Sequence, residues 1–370
     1  MKLKQLVVAG AVLALSVSLS ACASGGSSPT GGGSSAGGAG GGQQKTIVFV
    51  PKVSGNSFFD SGNVGAQAMG AKAGFKVVYN GSPTASPANQ VSIINSAVQT
   101  GAAGIVISST DPTALDNALK QAMAAGVAVV TWDSDVSPDA RTVMVSQGTP
   151  SQLGQMLVDM SVDALKQRGL DPATQPIKFA WHYSSATVTD QNSWVKAANE
   201  VIAKDYPNWV NVQPSNFYSN QDAQTALSTG ESILKAYPDI DLIMCPDSTA
   251  LPGQLQALQN AGKTKTDVTV TGFSTPNSIK QFATNNIVQE WGLWDVQVQA
   301  GIAVYLANYL ASGNTLKVGD SVDVPDIGTV QVQNNSVLLT PTSDDSPDHG
   351  VVLLPERTVF TTTNMDQYNF

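Results

Sequence analysis

The chain has 370 residues, a formal net charge of −9 and a sequence pI near 4.6. A chain this acidic lacks the basic patches that nucleic-acid binding requires, so no nucleic-acid partner is expected. It has two Cys and two His, without a CxxC, HExxH or Walker A pattern, and neither a metal site nor a cofactor is predicted. The length exceeds what one hydrophobic core usually serves, which favours two lobes.

The first 22 residues have the pattern of a secretory signal. Lys2 and Lys4 precede an apolar run, and small residues lead to Cys22. The apolar run is shorter than the ~20 residues that a membrane-spanning helix needs. The Leu-Ser-Ala-Cys sequence ending at Cys22 resembles the lipobox of bacterial lipoproteins, in which the cysteine sulfur carries a diacylglycerol. It predicts a signal peptide over residues 1–21, lipidation of Cys22 and an extracytoplasmic protein anchored to the cell membrane. An ordinary signal peptide with an incidental Cys is the alternative.

A tether follows this cysteine. Residues 22–44 are mostly Gly and Ser, a composition that buries nothing and forms a flexible coil with a reach of roughly 25 Å. The segment is predicted to hold the folded body away from the membrane. With Cys22 lipidated, Cys245 has no partner, so no intramolecular disulfide is expected despite the exported location.

Beyond the linker, short apolar strand patterns alternate with amphipathic helix patterns. The alternation predicts an α/β fold of two serial lobes, each a doubly wound, Rossmann-like parallel sheet with helices on both faces. In chain order the predicted elements are strand 45–51, helix 61–73, strand 76–79, helix 87–100, strand 105–108, helix 112–125, strand 128–132, helix 152–166, strand 177–182, helix 192–205, strand 210–214, helix 222–236, strand 242–245, helix 250–261 and strand 268–271.

Polar and aromatic side chains follow several of these strands. Because ligands bind beyond the carboxyl ends of the strands in an open parallel sheet, such residues are candidates for one cleft. Carboxylates accept hydroxyl protons, a lysine or an amide donates, and rings provide packing, which suits a small polyhydroxylated ligand. The candidates are Lys52, Phe58, Phe59, Trp132, Asp133, Asp190, Gln191, Pro246, Ser248 and Trp294.

Each candidate also has a purely structural interpretation. Lys52 could be a solvated loop residue, Asp133 a turn residue and Asp190 the N-cap of the next helix. Trp132 and Trp294 could pack in the core or between the lobes. The prediction of a site therefore depends on the convergence of these residues at one edge of the sheets.

Longer motifs surround these candidates. They include Val50-Pro51-Lys52, Gly55-Asn56-Ser57-Phe58-Phe59, Thr131-Trp132-Asp133-Ser134-Asp135, Thr187-Val188-Thr189-Asp190-Gln191-Asn192, Gly272-Phe273-Ser274-Thr275-Pro276-Asn277, Gly292-Leu293-Trp294-Asp295-Val296 and Leu353-Leu354-Pro355-Glu356-Arg357. These motifs resemble the periplasmic sugar-binding protein family, and within it the autoinducer-2-binding branch of the Lsr ABC transporter. The resemblance extends from about residue 46 to residue 370, and a ribose- or rhamnose-binding branch is similar in outline.

The resemblance implies a binding site for a cyclic dihydroxypentanedione hydrate. Its ligand-binding residues would be Lys52, Asp133, Asp190 and Gln191, with the backbone of Pro246 and Ser248. A member of that branch has Ala where this chain has Ser248, and a hydroxyl pointing inward would alter which ligand fits. The rings expected to pack around the pocket are those of Phe58, Phe59, Trp132 and Trp294.

The resemblance also implies a type I periplasmic binding protein with a three-segment hinge. The hinge segments would lie near residues 147–150, 272–276 and 292–295. The N-terminal lobe would comprise residues 46–148 and 272–293, and the C-terminal lobe residues 149–271 and 294–370. Ligand would close the hinge, and the closed monomer would be recognised by the permease of an ABC importer.

Three functions compete at this point. The first is a binding lipoprotein of an ABC importer, for autoinducer-2 or for a monosaccharide such as rhamnose or ribose. The second is a carbohydrate hydrolase that uses Asp133 and Asp190 as a pair. A lysine between them should lower the pKa of both carboxyls, which argues against a general acid and against an enzyme. The third is an adhesin-like or chemoreceptor-docking surface protein, which is compatible with the first.

Overall fold

The computed structural model describes residues 44–338 and 346–370. The predicted signal peptide, the lipidation site Cys22 and the linker up to residue 43 lie outside the described residues. The element bounds below refer to the described part of the chain.

The first part of the chain alternates strongly apolar strands with helices. β1 and β3 are runs of Ile, Val and Phe that are almost fully buried, as expected for parallel strands covered on both faces. The elements are β1 (Thr46–Val50), α1 (Ser57–Ala73), β2 (Lys76–Tyr79), α2 (Pro87–Gln99), β3 (Gly104–Ile107), α3 (Asp116–Ala124), β4 (Ala128–Trp132) and β5 (Val143–Ser146). β5 was not predicted.

The middle of the chain repeats the alternation. Its first helix begins with a capping box, in which Thr149 and Gln152 satisfy each other's backbone N–H groups, and with Pro150 at the first position. The elements are α4 (Pro150–Gln167), β6 (Ile177–Tyr183), α5 (Thr189–Asp205), β7 (Trp209–Asn211), β8 (Phe217–Tyr218), α6 (Ala223–Ala236), β9 (Leu242–Cys245), α7 (Ala250–Asn260), β10 (Thr269–Gly272), α8 (Pro276–Thr284) and β11 (Trp291–Leu293).

The last part of the chain adds one long helix and four short strands. These are α9 (Val296–Ala311), β12 (Ser321–Val324), β13 (Gly328–Gln331), β14 (Gly350–Leu353) and β15 (Thr358–Phe360). β12 and β13 form an antiparallel hairpin, and β15 pairs antiparallel with β11.

Two parallel sheets organise the fold. The first has the strand order β14-β5-β4-β3-β1-β2, and the second has the order β10-β9-β6-β7, with β8 beside β6. Helices cover both faces of the first sheet, because α1 and α9 pack on one side and α2 and α3 on the other. The predicted α/β fold with two parallel-sheet lobes is confirmed.

The predicted membership of the lobes is wrong for the last third of the chain. Residues 272–293 stay with the second sheet, since Phe273 pairs in parallel with Gly292 and α8 packs on α7. α9 returns to the first lobe, where it packs along α1 and β4, and β14 extends the first sheet beside β5. We call the elements around the first sheet (β1–β5, α1–α3, α9, β12–β14) the first lobe, and the others the second lobe.

The chain therefore crosses between the lobes three times. The crossings lie between β5 and α4, between β11 and α9, and between β14 and β15. The first and second coincide with the predicted segments 147–150 and 292–295. The predicted segment 272–276 lies within the second lobe, and the third crossing is at residues 354–357 instead. There Arg357 donates to the backbone carbonyl of Gln147, which joins the first and third crossings.

Candidate functional site

Lys52 lies two residues after β1 and is buried between the lobes. Its Nζ is 3.0 Å from Oδ2 of Asp133 and 3.2 Å from Oδ2 of Asp190. Asp133 directly follows β4 in the first lobe, whereas Asp190 lies in α5 of the second. All three side chains are at most 5% exposed, so Lys52 is not a solvated loop residue. One buried cation thus joins a carboxylate from each lobe.

The backbone at Asp133 adopts a rare conformation. Its φ is +61°, in the left-handed region that non-glycine residues seldom occupy. The N–H of Ser134 donates to the carbonyl of Trp132 at 2.7 Å, so the chain makes a tight three-residue turn at the end of β4. Oδ2 of Asp133 accepts a hydrogen bond of 2.6 Å from Ser108 Oγ. Strain of this kind is concentrated at functional sites, where it aims a side chain.

Asp190 is placed by the start of α5. The helix begins at Thr189 after an N-cap at Val188, so Asp190 lies in the first turn and is not the cap. Negative charge is stabilised in the first turn of a helix by the unpaired backbone N–H groups. Ser134 of the first lobe donates to Oδ1 of Asp190 at 2.8 Å, a second polar contact between the lobes beside Lys52.

Hydrogen bonds fix the orientation of the side-chain amide of Gln191. Its Oε1 accepts from the backbone N–H and the hydroxyl of Ser184, at 3.0 and 2.6 Å. Because a backbone N–H can only donate, Oε1 must face Ser184 and Nε2 must face the other way. Nε2 lies 3.3 Å from Oδ1 of Asp247, so Gln191 presents N–H groups toward the cleft.

Asp247, between the two candidates Pro246 and Ser248, organises the second-lobe wall. Its Oδ2 accepts from Ser219 Oγ at 2.8 Å, and its Oδ1 accepts from Gln221 Nε2 at 3.1 Å. Burial raises the pKa of Asp247, opposed by the hydrogen bonds it accepts. Sequence analysis did not select this residue, although an acid directly after the buried strand β9 is a signal that could have found it.

Burial also acts on the ionisation of Asp133 and Lys52. It raises the pKa of Asp133 to about 6, opposed by Lys52 and reinforced by Asp190. Burial acts to lower the pKa of Lys52, but attraction to Asp133 and Asp190 outweighs it and leaves that pKa raised. Lys52 does act to lower the pKa of Asp133, as expected, but desolvation exceeds this attraction and leaves that pKa raised.

A cavity lies between the lobes beside Lys52. Five aromatic rings enclose it, and the edge-to-face contacts of Trp294 with Phe58, Trp194 and Phe273 (5.8–5.9 Å between centroids) form its apolar wall. The lining residues are Lys52, Phe58, Phe59, Asp133, Gln191, Trp194, Gln221, Pro246, Asp247, Ser248, Phe273, Leu293 and Trp294.

Two predicted site residues do not line this cavity. Trp132 stacks behind Phe58, with ring planes 10° apart and centroids separated by 5.8 Å, so it supports the wall from the core. Asp190 lines a neighbouring cavity that shares Asp133 with the main one, and its Oδ2 lies 3.2 Å from Lys52 Nζ. Sequence reasoning did not select Trp194, Phe273, Leu293 and Gln221 as pocket residues, although Phe273 and Leu293 lie in two of the motifs named above.

Within the described residues 44–338 and 346–370, no three His, Cys, Asp or Glu side chains are grouped in a way that could hold a metal ion. Nor does any helix in these ranges have the length and apolar character needed to cross a membrane. Cys245, at the end of β9, is a buried free thiol.

Comparison with known proteins places this geometry in a family. A family model described as "Periplasmic binding protein domain" matches residues 47–315, most of the chain. The chain belongs to the periplasmic binding protein family. LsrB from Clostridium saccharobutylicum, solved in complex with AI-2, is 57% identical, with a TM-score of 0.87 over 88% of this chain and 100% of that one.

More distant periplasmic binding proteins share the fold. An ABC transporter solute-binding protein from Clostridium phytofermentas with bound L-rhamnose has a TM-score of 0.78 at 22% identity, covering 88% of this chain and 98% of that one. The ribose import binding protein RbsB of Escherichia coli (strain K12) is 27% identical over 236 residues, 64% of this chain and 74% of RbsB. The extracytoplasmic setting of such proteins agrees with the exported location expected from the sequence.

Proposed function

We propose that this periplasmic binding protein is the substrate-binding component of an ABC importer and that it binds AI-2 in the cleft between its lobes. The observation that carries the proposal is the buried Lys52 between Asp133 and Asp190, in a chain 57% identical to an LsrB solved with AI-2. A site for a small hydroxylated molecule needs acceptors, a donor and rings within one small enclosed volume. The cavity beside Lys52 supplies all of these.

In the proposed complex the carboxylates of Asp133 and Asp190 accept hydrogen bonds from ligand hydroxyl groups. Lys52 and the Nε2 of Gln191 donate to ligand oxygens, and the backbone of Pro246 and Ser248 completes the polar contacts. The rings around Trp294 cover the apolar side of the ligand. The same arrangement supports a binding role without catalysis, from which the ligand leaves chemically unchanged.

The test is the identity of the molecule that the protein carries. Wild-type protein is purified without added ligand and denatured, and the released small molecule is analysed by mass spectrometry and with an AI-2 reporter strain. AI-2 activity from wild type, and its absence from Asp133→Ala protein purified in parallel, is the expected result. Release of a chemically altered product would reject the purely binding role.

A monosaccharide is the alternative ligand. The fold shared with the L-rhamnose complex and the 27% identity to RbsB make L-rhamnose and D-ribose the compounds to compare. Titration calorimetry with AI-2, L-rhamnose and D-ribose separates the two possibilities. Tight binding of either sugar without AI-2 release would move the protein to a sugar-importing role.

We further propose that the protein is a monomer held to the membrane by a lipid on Cys22 and that its closed form docks on the permease. Cys22→Ala should leave the protein soluble or unprocessed instead of in the membrane fraction, because the thiol that would carry the lipid is absent. Cys245→Ala is the matched control, since this thiol is buried in the second lobe and should leave partition unchanged. Membrane partition of Cys22→Ala at the wild-type level would reject the anchor.

A further inference from the structure

A set of polar contacts joins the lobes at the rim of the cleft. The Nδ2 of Asn56 donates to Thr249 Oγ1 at 2.9 Å, and the hydroxyl of Ser248 donates to Asn56 Oδ1 at 3.3 Å. Asn56 precedes α1 in the first lobe, whereas Ser248 and Thr249 lie between β9 and α7 in the second. Asn56 is not among the residues that line the cavity. These contacts therefore bridge the lobes without requiring a ligand between them.

The neighbouring residue makes contacts of the same kind. Ser57 and Ser278 share a hydrogen bond of 2.6 Å between their hydroxyl groups, and Thr275 donates to Ser57 Oγ at 3.3 Å. Both partners belong to the start of α8 in the second lobe. The N-terminus of α1 thus contacts two separate segments of the other lobe.

The chemistry of these groups suits contacts that form and break repeatedly. All are neutral hydroxyl or amide groups, and Asn56 and Ser248 are only half-buried. When the lobes separate, each group can be solvated, so opening leaves no buried polar group unpaired. The Lys52 pair differs, because it is almost fully buried and charged.

We propose that Asn56, together with Ser248 and Thr249, acts as a latch that positions the two lobes in the closed form and sets how long the ligand stays bound. The proposal rests on ligand binding in the cleft and adds Asn56 and Thr249, which do not line the cavity. Ser248 contributes its hydroxyl to the latch and its backbone to the proposed ligand contacts. Contacts that join the lobes are lost when the lobes separate, so they stabilise the closed form whichever ligand occupies the cavity. The latch therefore acts on residence time and not on ligand choice. The hydroxyl of Ser248 belongs to the latch in this arrangement.

Asn56 has a second role that the test must preserve. Its Oδ1 accepts from the backbone N–H of Phe58 at 2.9 Å and so caps α1. Asn56→Ser retains a good N-cap, because serine is among the preferred capping residues, but its side chain is too short to reach the second lobe. Asp222→Ser is the matched control, since Asp222 caps α6 through Thr225 within the second lobe.

Stopped-flow kinetics with AI-2 tests the latch. Asn56→Ser should raise the dissociation rate roughly tenfold, since two hydrogen bonds of ordinary net strength are lost, and should leave the association rate within about twofold. Adding Thr249→Val to Asn56→Ser should change little further, because the two residues act on one bond. Asp222→Ser should dissociate at the wild-type rate.

A second ligand separates a latch from a ligand contact. L-rhamnose and D-ribose serve as second ligands, and the one that binds more weakly is used. In Asn56→Ser its dissociation rate should rise by the same factor as the dissociation rate of AI-2. An unchanged dissociation rate, or a factor that differs between ligands, would overturn the latch. Wild-type protein that binds a sugar but not AI-2 rejects the proposed ligand and leaves the latch to be measured with that sugar. Binding of none of the three would overturn both.

Discussion

The two walls of the cleft stabilise their buried acidic side chains in different ways. On the first-lobe wall, Lys52 and Asp133 are charged and buried, and Lys52 finds its second partner, Asp190, only across the cleft. On the second-lobe wall, Asp247 is also a buried acid, but its four donors all come from its own lobe. One wall is completed by closure of the lobes, and the other is complete within its own lobe.

Because of this difference, we expect one wall to receive the ligand and the other to respond to closure of the lobes. A wall with its own hydrogen-bond network keeps the same shape whether the lobes are open or closed, so it can present Gln191 and the backbone near Pro246 to an arriving ligand. A wall whose cation needs a partner from the other lobe gains most when the lobes meet. Ligand hydroxyl groups and closure then act on the same carboxylates. The comparison predicts that substitution of Lys52 lowers ligand affinity strongly and that substitution of Asp247 lowers it only slightly.

Lys52→Met should have the largest effect. Removing the cation leaves Asp133 and Asp190 facing each other in a buried site, and breaking such a pair costs about 3–5 kcal/mol. We expect affinity for AI-2 to fall by at least about a hundredfold, measured by calorimetry. We also expect solution scattering to show no decrease in the radius of gyration on adding ligand. Lys120→Met, which removes an exposed pair with Asp139, should bind normally. Wild-type affinity in Lys52→Met would show that the charged wall is not needed.

Asp133→Ala and Asp190→Ala should each weaken AI-2 binding by at least about tenfold. Each removes charge-assisted hydrogen bonds worth roughly 1.5–3 kcal/mol. Folding should survive, because relief of one buried carboxylate reduces repulsion within the pair, and circular dichroism with thermal melting checks this. If both variants bind as wild type does, the site is elsewhere.

Affinity should depend on pH through Asp133. Its pKa is raised to about 6, and ligand hydroxyl groups bind the ionised form. Affinity should therefore be constant above about pH 7 and fall below about pH 6, by up to tenfold for each pH unit, as the carboxylate takes up a proton. Calorimetry across this range measures the slope. Asp133→Asn should bind weakly with no such slope, and a slope retained in that variant would assign the titration to another group.

Asp247→Asn should have the smallest effect of these changes. The substitution keeps the size of the side chain but leaves one acceptor oxygen for donors that now occupy two. We expect affinity to fall by about three- to fivefold, together with a loss of about 1–3 kcal/mol in the free energy of unfolding. Denaturant unfolding and calorimetry on the same protein measure both. An affinity loss as large as that of Lys52→Met would remove the distinction between the two walls.

Local patterns predicted most of the residues that line the cavity. The end of each apolar strand is visible in the sequence, so Lys52, Asp133 and Ser248 could be placed beside a cleft from strand order alone. Trp132 was placed in the pocket on the same grounds, but a residue inside a strand can point to either face, and here it packs behind Phe58. Trp194 and Phe273 reach the cavity from a helix and from a loop after β10, where no local pattern distinguishes a pocket ring from a core ring.

The sequence by itself determined most of the strands and helices up to β10 and the polar residues at the strand ends, because hydrophobic periodicity and turn residues act over a few positions. Tertiary structure decided which lobe received the last third of the chain. β14 pairs with β5, which lies about 200 residues earlier in the chain. α9 packs on α1, which also lies more than about 200 residues earlier. It also decided the ionisation of Asp133, since burial by distant segments outweighs the neighbouring lysine. Long-range packing and desolvation depend on which surfaces meet in space, and no short segment contains that information.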